Sequence, residues 1–471
     1  MRAMCDSDSL LHAMRGPGSN CKSLLRFSGL ALLWTAVVCL QTQANSLAAL
    51  SSTAAPARLI ASPEPGWPLW RGPRRDGICD ETGLLTRWPE GGPRLLWTAS
   101  GLGRGYSAPI ITGSRIYLAG DVVDQLRIFA LDFHGRLLWQ ATNGQAWKGP
   151  YPGARASCTF SQGRLYHLNA HGRLACLDAN TGAELWAVNV LERFAGQNIT
   201  WALSENVLVD GPHVLVTAGG ANGLMAALDK RTGATVWATE PLRLGPSTDP
   251  AHQRVAEPAG EVDSASYASP ILFSLAGRRY VVSCSLRHVF GVDPDQGRLL
   301  WTWPMPTRYQ VIALTPVLVD DAVFVTAPDC EATGLYRIQP QTTGVRIDRL
   351  WSGGMDTCHG GVVLLDGRLY GSWYRTHKGW ACVDVRSGAV LYHFKDLAMG
   401  SVLGAQGQLY CLSQEGEMAL ITPTEAGLQF AGRFRLVPRR VNDAWTHPVI
   451  HDGRLYLRYH DTLYCYDIRA R

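Results

Sequence analysis

The chain has 471 residues, longer than one ordinary hydrophobic core supports, so a repeat architecture or several domains must organise it. Hydrophobic residues make up 46% and charged residues 18%, which excludes a disordered chain. Of the formal net charge of +5, a surplus of two sits in residues 1–44, and no Lys/Arg cluster is interleaved with aromatics, which argues against a nucleic-acid-binding protein.

Residues 1–44 read as an export signal. Arg15, Lys22 and Arg26 form a basic region, and Phe27 to Leu40 is an apolar run too short for a comfortable membrane span. Small residues follow, with cleavage expected after Ala44 or Ala48. An uncleaved anchor is the alternative, and it is the one route by which this chain would touch a membrane. Residues 45–93 form an opening segment that carries Trp67-Pro-Leu-Trp70-Arg71-Gly72-Pro73-Arg74-Arg75-Asp76-Gly77.

From residue 94 onward a repeat takes over, and repeats decide the fold. A turn, a polar residue and an apolar–aromatic pair recur. Clear copies are Gly113-Ser-Arg-Ile-Tyr117, Gly163-Arg-Leu-Tyr166, Asp366-Gly-Arg-Leu-Tyr370, Gly407-Gln-Leu-Tyr410 and Asp452-Gly-Arg-Leu-Tyr456. Weaker copies end at Leu215, Tyr280 and Phe324, making eight in all. A second pattern follows: an apolar strand ending in Asp, a glycine turn, then a strand with Trp. Asp178, Gly182 and Trp186 show it, as do Asp229, Gly233 and Trp237. The glycine supplies the positive φ of a tight turn, and the Asp can bind nearby amides. Each unit therefore reads as four short antiparallel strands, a propeller blade. Residues 242–263, with Pro246, Pro250 and Pro258, read as a surface excursion.

The chain stops on a third strand, Leu463-Tyr-Cys-Tyr-Asp467, and Arg94-Leu-Leu-Trp97 is available as the missing fourth. The expectation is an all-β, eight-bladed propeller over 94–471, closed by its N-terminal strand, which would remove two exposed edges. Seven blades is the alternative, because the seventh unit lacks a clear Asp, Gly and Trp. Nine cysteines follow residue 44 with no CxxC and no adjacent pair, so zinc, redox and c-type haem sites lack support. Cys176, Cys382 and Cys465 share one repeat position, as expected of small buried strand residues.

The Leu-Asp-x-x-Thr-Gly-x-x-x-Trp pattern resembles the pyrroloquinoline-quinone (PQQ) repeat family, and the Trp67–Gly77 motif resembles the opening of secreted bacterial members. The resemblance covers residues 94–470. It implies the propeller of quinoprotein alcohol dehydrogenases, and equally that of an outer-membrane assembly scaffold that binds no quinone. The enzymes hold PQQ over a vicinal disulfide and bind calcium through Glu, Asn and Asp. No Cys-Cys occurs here, and Glu205-Asn206 is the only adjacent pair of that kind at the start of a first strand. PQQ and calcium are therefore implied by resemblance alone, and no metal ligand set is expected from the residues themselves.

Loops entering the first strands of a propeller converge on one face around the axis. The candidates for a ligand site there are Tyr106, Arg155, Trp201, Glu205, Tyr267, His359, Trp445 and His447. As a pair, His359 and His447 could bind metal or move protons; the plainer reading is bonding to loop carbonyls. Arg155 could hold an anion or pair with a carboxylate. Trp201 and Trp445 could stack a planar ligand or pack between blades. Three functions follow: an exported binding or scaffold protein whose partner is an envelope protein or small molecule; a PQQ-dependent oxidoreductase with a divergent site; and a hydrolase or lyase using His359 and His447.

Overall fold

Each Leu-Tyr copy becomes the second strand of a four-stranded antiparallel sheet. The computed structural model describes residues 56–245 and 260–470, and within them eight such sheets follow one another, two of them widened by a short strand of the opening segment. They span residues 110–145 (blade 1), 159–189 (blade 2), 208–238 (blade 3), 271–304 (blade 4), 317–352 (blade 5), 362–394 (blade 6) and 400–435 (blade 7). Blade 8 joins residues 449–467 to Arg94–Ala99. Blade 7 forms all four of its own strands despite its missing motif, so the count is eight rather than seven. The proposed leader and most of the proline-rich excursion lie outside the described residues.

Blades pack face to face, so inner strands are apolar on both sides. In Arg173–Asp178 of blade 2, Leu174 and Cys176 join a cluster with Val214 and Val216 of blade 3. Ala175 and Leu177 join Tyr117 and Ile128 of blade 1. Cys176, Cys382 and Cys465 are buried in third strands, and all nine cysteines among the described residues are free thiols.

The turn motif is a joint between blades. Asp178 Oδ1 accepts from the amides of Asn180 and Thr181 at 2.9 and 2.8 Å, and from Thr181 Oγ1 at 3.0 Å. Gly182 then sits at φ 75° with its open face covered by Trp139 of the preceding blade. A Cβ there would lie 2.5 Å from the indole, whose Nε1 donates to the Ala179 carbonyl at 3.2 Å. Trp97 covers Gly135, Trp186 covers Gly233 and Trp351 covers Gly388 in the same way. In blade 7 the opening segment substitutes: Trp88 packs 5.6 Å from the Phe434 ring and against Gly432.

The ring closes as its ends imply. Leu95 pairs with Tyr466, Trp97 with Cys465 and Thr98 with Tyr464. A clasp reinforces this junction. Arg458 is fully buried and donates to the carbonyls of Ser107 (2.9 Å), Ala119 (2.5 Å), Gly103 (3.0 Å), Leu102 (3.4 Å) and His460 (3.0 Å).

The opening segment runs along the inner side of the ring. Arg58–Leu59 pairs with the first strand of blade 4, Trp67 bridges Ile111 of blade 1, and Ile78–Cys79 lies parallel to the first strand of blade 7. Its two buried arginines act as spokes. Arg75 donates to the carbonyls of Asn206 (2.8 Å), Pro270 (3.2 Å) and Val207, and Arg71 to Val362 at 2.6 Å. The tryptophan–arginine motif thus fills the axis of the ring, a role its sequence did not reveal.

Candidate functional site

The loops that enter the first strands enclose a cavity of about 420 Å³. Six of the eight candidates line it: Tyr106, Arg155, Trp201, Tyr267, His359 and Trp445. Trp70 of the axial segment joins them. Glu205 and His447 do not reach the cavity.

Extended backbone alternates its side chains. Ser204 and Asn206 line the cavity, while Glu205 between them turns away. Glu205 is 2% exposed, and both its oxygens accept from the Thr217 amide at 3.1 Å. Burial pushes its carboxyl up to about 7, against the pull of Arg75. Asn206 is also committed: its Oδ1 accepts from the Ser157 amide at 2.5 Å and its Nδ2 donates to Ser269 Oγ at 2.9 Å.

His447 lies beneath, its ring 4.4 Å from that of Trp70. Its Nε2 is 3.0 Å from the His359 carbonyl, an acceptor only, so this nitrogen carries the proton. Burial, with help from Arg71, holds His447 down to about 3, and burial holds His359 down to about 4. Both imidazoles are neutral at pH 7.

Arg155 neither meets a carboxylate nor points a free fork inward. Its Nε donates to Trp201 O at 2.7 Å, Nη1 to Gly153 O at 2.8 Å, and Nη2 to Pro150 O and Tyr151 O, both at 2.9 Å. It braces the loop at the cavity mouth, and burial lowers it to about 10.

Sequence reasoning left out Trp70, Tyr151, Tyr374, Asp329 and Arg375, all in the wall. Asp329 and Arg375 come from hairpins between second and third strands, which open onto the same face. They pair at 3.1 Å, and the Arg375 guanidinium lies 4.5 Å from the Tyr309 ring centre. Among the wall rings, Trp445 touches Tyr106, Tyr151 and His359 at 5.2, 5.0 and 4.5 Å.

A hard cation such as calcium needs several converging oxygens. Glu205 and Asn206 give theirs to backbone amides, and no group of three or more His, Cys, Asp or Glu among the described residues could share a metal ion. PQQ is a tricarboxylic acid, and the wall arginines already bond carbonyls or Asp329. As arranged, these residues do not fit the quinone–calcium pair.

A family model described as outer membrane protein assembly factor BamB matches residues 124–394. The chain belongs to this family of PQQ-type propellers. Part of it, 161 residues, is 31% identical to a lanthanide-dependent methanol dehydrogenase of Methylacidiphilum fumariolicum (strain SolV), covering 31% of this chain and 25% of that protein. A stretch of 113 residues is 31% identical to the dehydrogenase subunit of a quinone alcohol dehydrogenase of Acetobacter aceti, covering 22% and 15%. The chain thus spans a quarter or less of these two relatives. In structure it is similar to BamB from Moraxella catarrhalis, with a TM-score of 0.55 at 17% identity over 80% of this chain and 99% of that one. It is also similar to the quinohemoprotein alcohol dehydrogenase of Comamonas testosteroni, with a TM-score of 0.59 at 14% identity over 86% and 81%. At such identities these structures share the fold alone.

Proposed function

We propose that the chain is an exported, non-catalytic binding propeller of the cell envelope that holds a small molecule in its axial cavity. The observation that carries this reading is the commitment of the charged and titratable groups to the protein's own backbone. Arg155 bonds carbonyls, Glu205 bonds the Thr217 amide and His447 bonds the His359 carbonyl. General acid–base work needs a group that titrates near the working pH within reach of the bound molecule. Glu205 titrates near 7 but faces away from the cavity, and His359 faces the cavity but stays neutral down to about 4. Export is supported by the basic and apolar leader and by membership of a family described as an outer membrane assembly factor.

Dye reduction tests this reading. The purified chain is supplied with PQQ, calcium and an alcohol or sugar, and no PQQ-dependent rate above buffer is expected. A saturable rate would make the protein a quinone-dependent oxidoreductase instead.

A further inference from the structure

The cavity wall selects among ligand classes. Its charges are cancelled or committed: Asp329 pairs with Arg375, and Arg155 is held by four carbonyls. A polyanion finds one wall guanidinium held by four carbonyls and the other neutralised by Asp329. A quaternary ammonium ligand needs bare aromatic faces. Arg375 already occupies two of them, at 4.5 Å from the Tyr309 ring centre and 5.6 Å from that of Tyr374. The wall therefore favours an uncharged molecule.

Its shape narrows the class. Tyr106, Tyr151 and His359 tilt against Trp445 by 32°, 48° and 48°, and Trp201 tilts against Tyr267 by 59°. Adjacent rings at such angles curve around a body with depth. A flat fused ring prefers parallel faces. A puckered sugar ring offers apolar C–H faces to aromatic walls and hydroxyls at its edge. The hydroxyls of Tyr106 and Tyr151 make no hydrogen bond among the described residues, so donors and acceptors stand at the wall beside the aromatic surface. A volume of about 420 Å³ falls within the range of small-molecule sites.

The geometry points to a neutral saccharide, one or two pyranose rings long, as the ligand of this cavity. This assignment rests on the binding role proposed above.

Titration calorimetry on the full chain tests it. Maltose, cellobiose and N,N′-diacetylchitobiose are each taken to about 10 mM, with choline and PQQ as the contrasting probes. At least one disaccharide binds saturably. Trp445→Ala weakens that binding at least about tenfold, whereas Leu138→Ser on the outermost strand of blade 1 leaves it unchanged. Circular dichroism checks the fold, and Tyr151→Ala, at the half-exposed rim, replaces Trp445→Ala if that variant fails to fold. Failure of all three disaccharides to bind overturns the assignment, as does binding that ignores both cavity variants. Saturable binding of choline in their place overturns the saccharide but leaves the binding role standing, whereas saturable binding of PQQ overturns the saccharide together with the conclusion that the wall does not fit the quinone. PQQ-dependent oxidation of a bound sugar overturns the binding role itself.

Discussion

The Nε2 of His447 lies 3.0 Å from the backbone carbonyl oxygen of His359. That bond makes His447 a fixed donor under the cavity floor rather than a ligand or a proton carrier. Its folded value of about 3 lies below the ordinary 6.5, so the unfolded chain protonates first as pH falls. The stability it contributes is complete above pH 6.5 and is lost between pH 6.5 and about 3. His447→Gln, which can still donate to the carbonyl, flattens this acid-side loss when denaturation midpoints at pH 7.5 and pH 5 are compared. An unchanged difference between the two midpoints would contradict the assignment.

Glu205 has the opposite sign. Its folded value of about 7 lies above the ordinary 4.5, so the unfolded chain releases its proton first as pH rises. Stability is therefore full below pH 4.5 and declines between pH 4.5 and about 7. Glu205→Gln keeps an oxygen for the Thr217 amide and removes the charge. It is expected to raise stability at pH 8 by on the order of 3 kcal/mol while changing little at pH 4.5. Urea unfolding at the two pH values measures this, and a variant weaker at pH 8 would show that the ionised carboxylate is needed.

Arg458 ties blade 8 to blade 1 by donating to four carbonyls of residues 102–119, with a fifth from His460 of its own hairpin. Replacing it with Met keeps most of the volume and strands the buried carbonyls. A loss of at least about 3 kcal/mol is expected in urea unfolding. A loss below about 1 kcal/mol would mean that the strand pairing of Arg94–Ala99 alone closes the ring.

Two glycines separate backbone strain from the joint between blades. Gly163 and Gly182 both sit at φ 75°, but a Cβ meets nothing within 4 Å at Gly163 and the Trp139 indole at 2.5 Å at Gly182. Gly163→Ala carries only the left-handed backbone penalty, about 1 kcal/mol. Gly182→Ala should exceed it by at least about 1 kcal/mol in thermal unfolding, because the indole must move. Equal losses would mean that the tryptophan joint adds nothing.

The blades were legible because their signals are local. Asp178, Gly182 and a tryptophan at fixed spacing describe one hairpin, and the turn followed by an apolar–aromatic pair marks one strand, so its five clear and three weaker copies give eight sheets. Closure was legible from the unpaired third strand at Asp467. The ring of loops also follows from topology, which is why Tyr106, Trp201, Tyr267, His359 and Trp445 meet at the cavity. Direction within a loop was not legible. Ser204, Glu205 and Asn206 alternate, and no local signal says which of them faces the axis. Trp70 and Arg375 reach the wall from an axial segment and from a second-to-third-strand hairpin, so only the assembled ring brings them there. Arg71, Arg75 and Arg458 resemble surface arginines in sequence; their backbone acceptors come from distant segments.

The most direct test of the account is a titration of the full chain with PQQ in the presence of calcium, followed by tryptophan fluorescence. Trp70, Trp201 and Trp445 line the cavity and would report any occupant. A flat trace to about millimolar PQQ is expected once inner-filter absorption is subtracted. Saturable quenching at one equivalent, abolished by removing calcium, would contradict it.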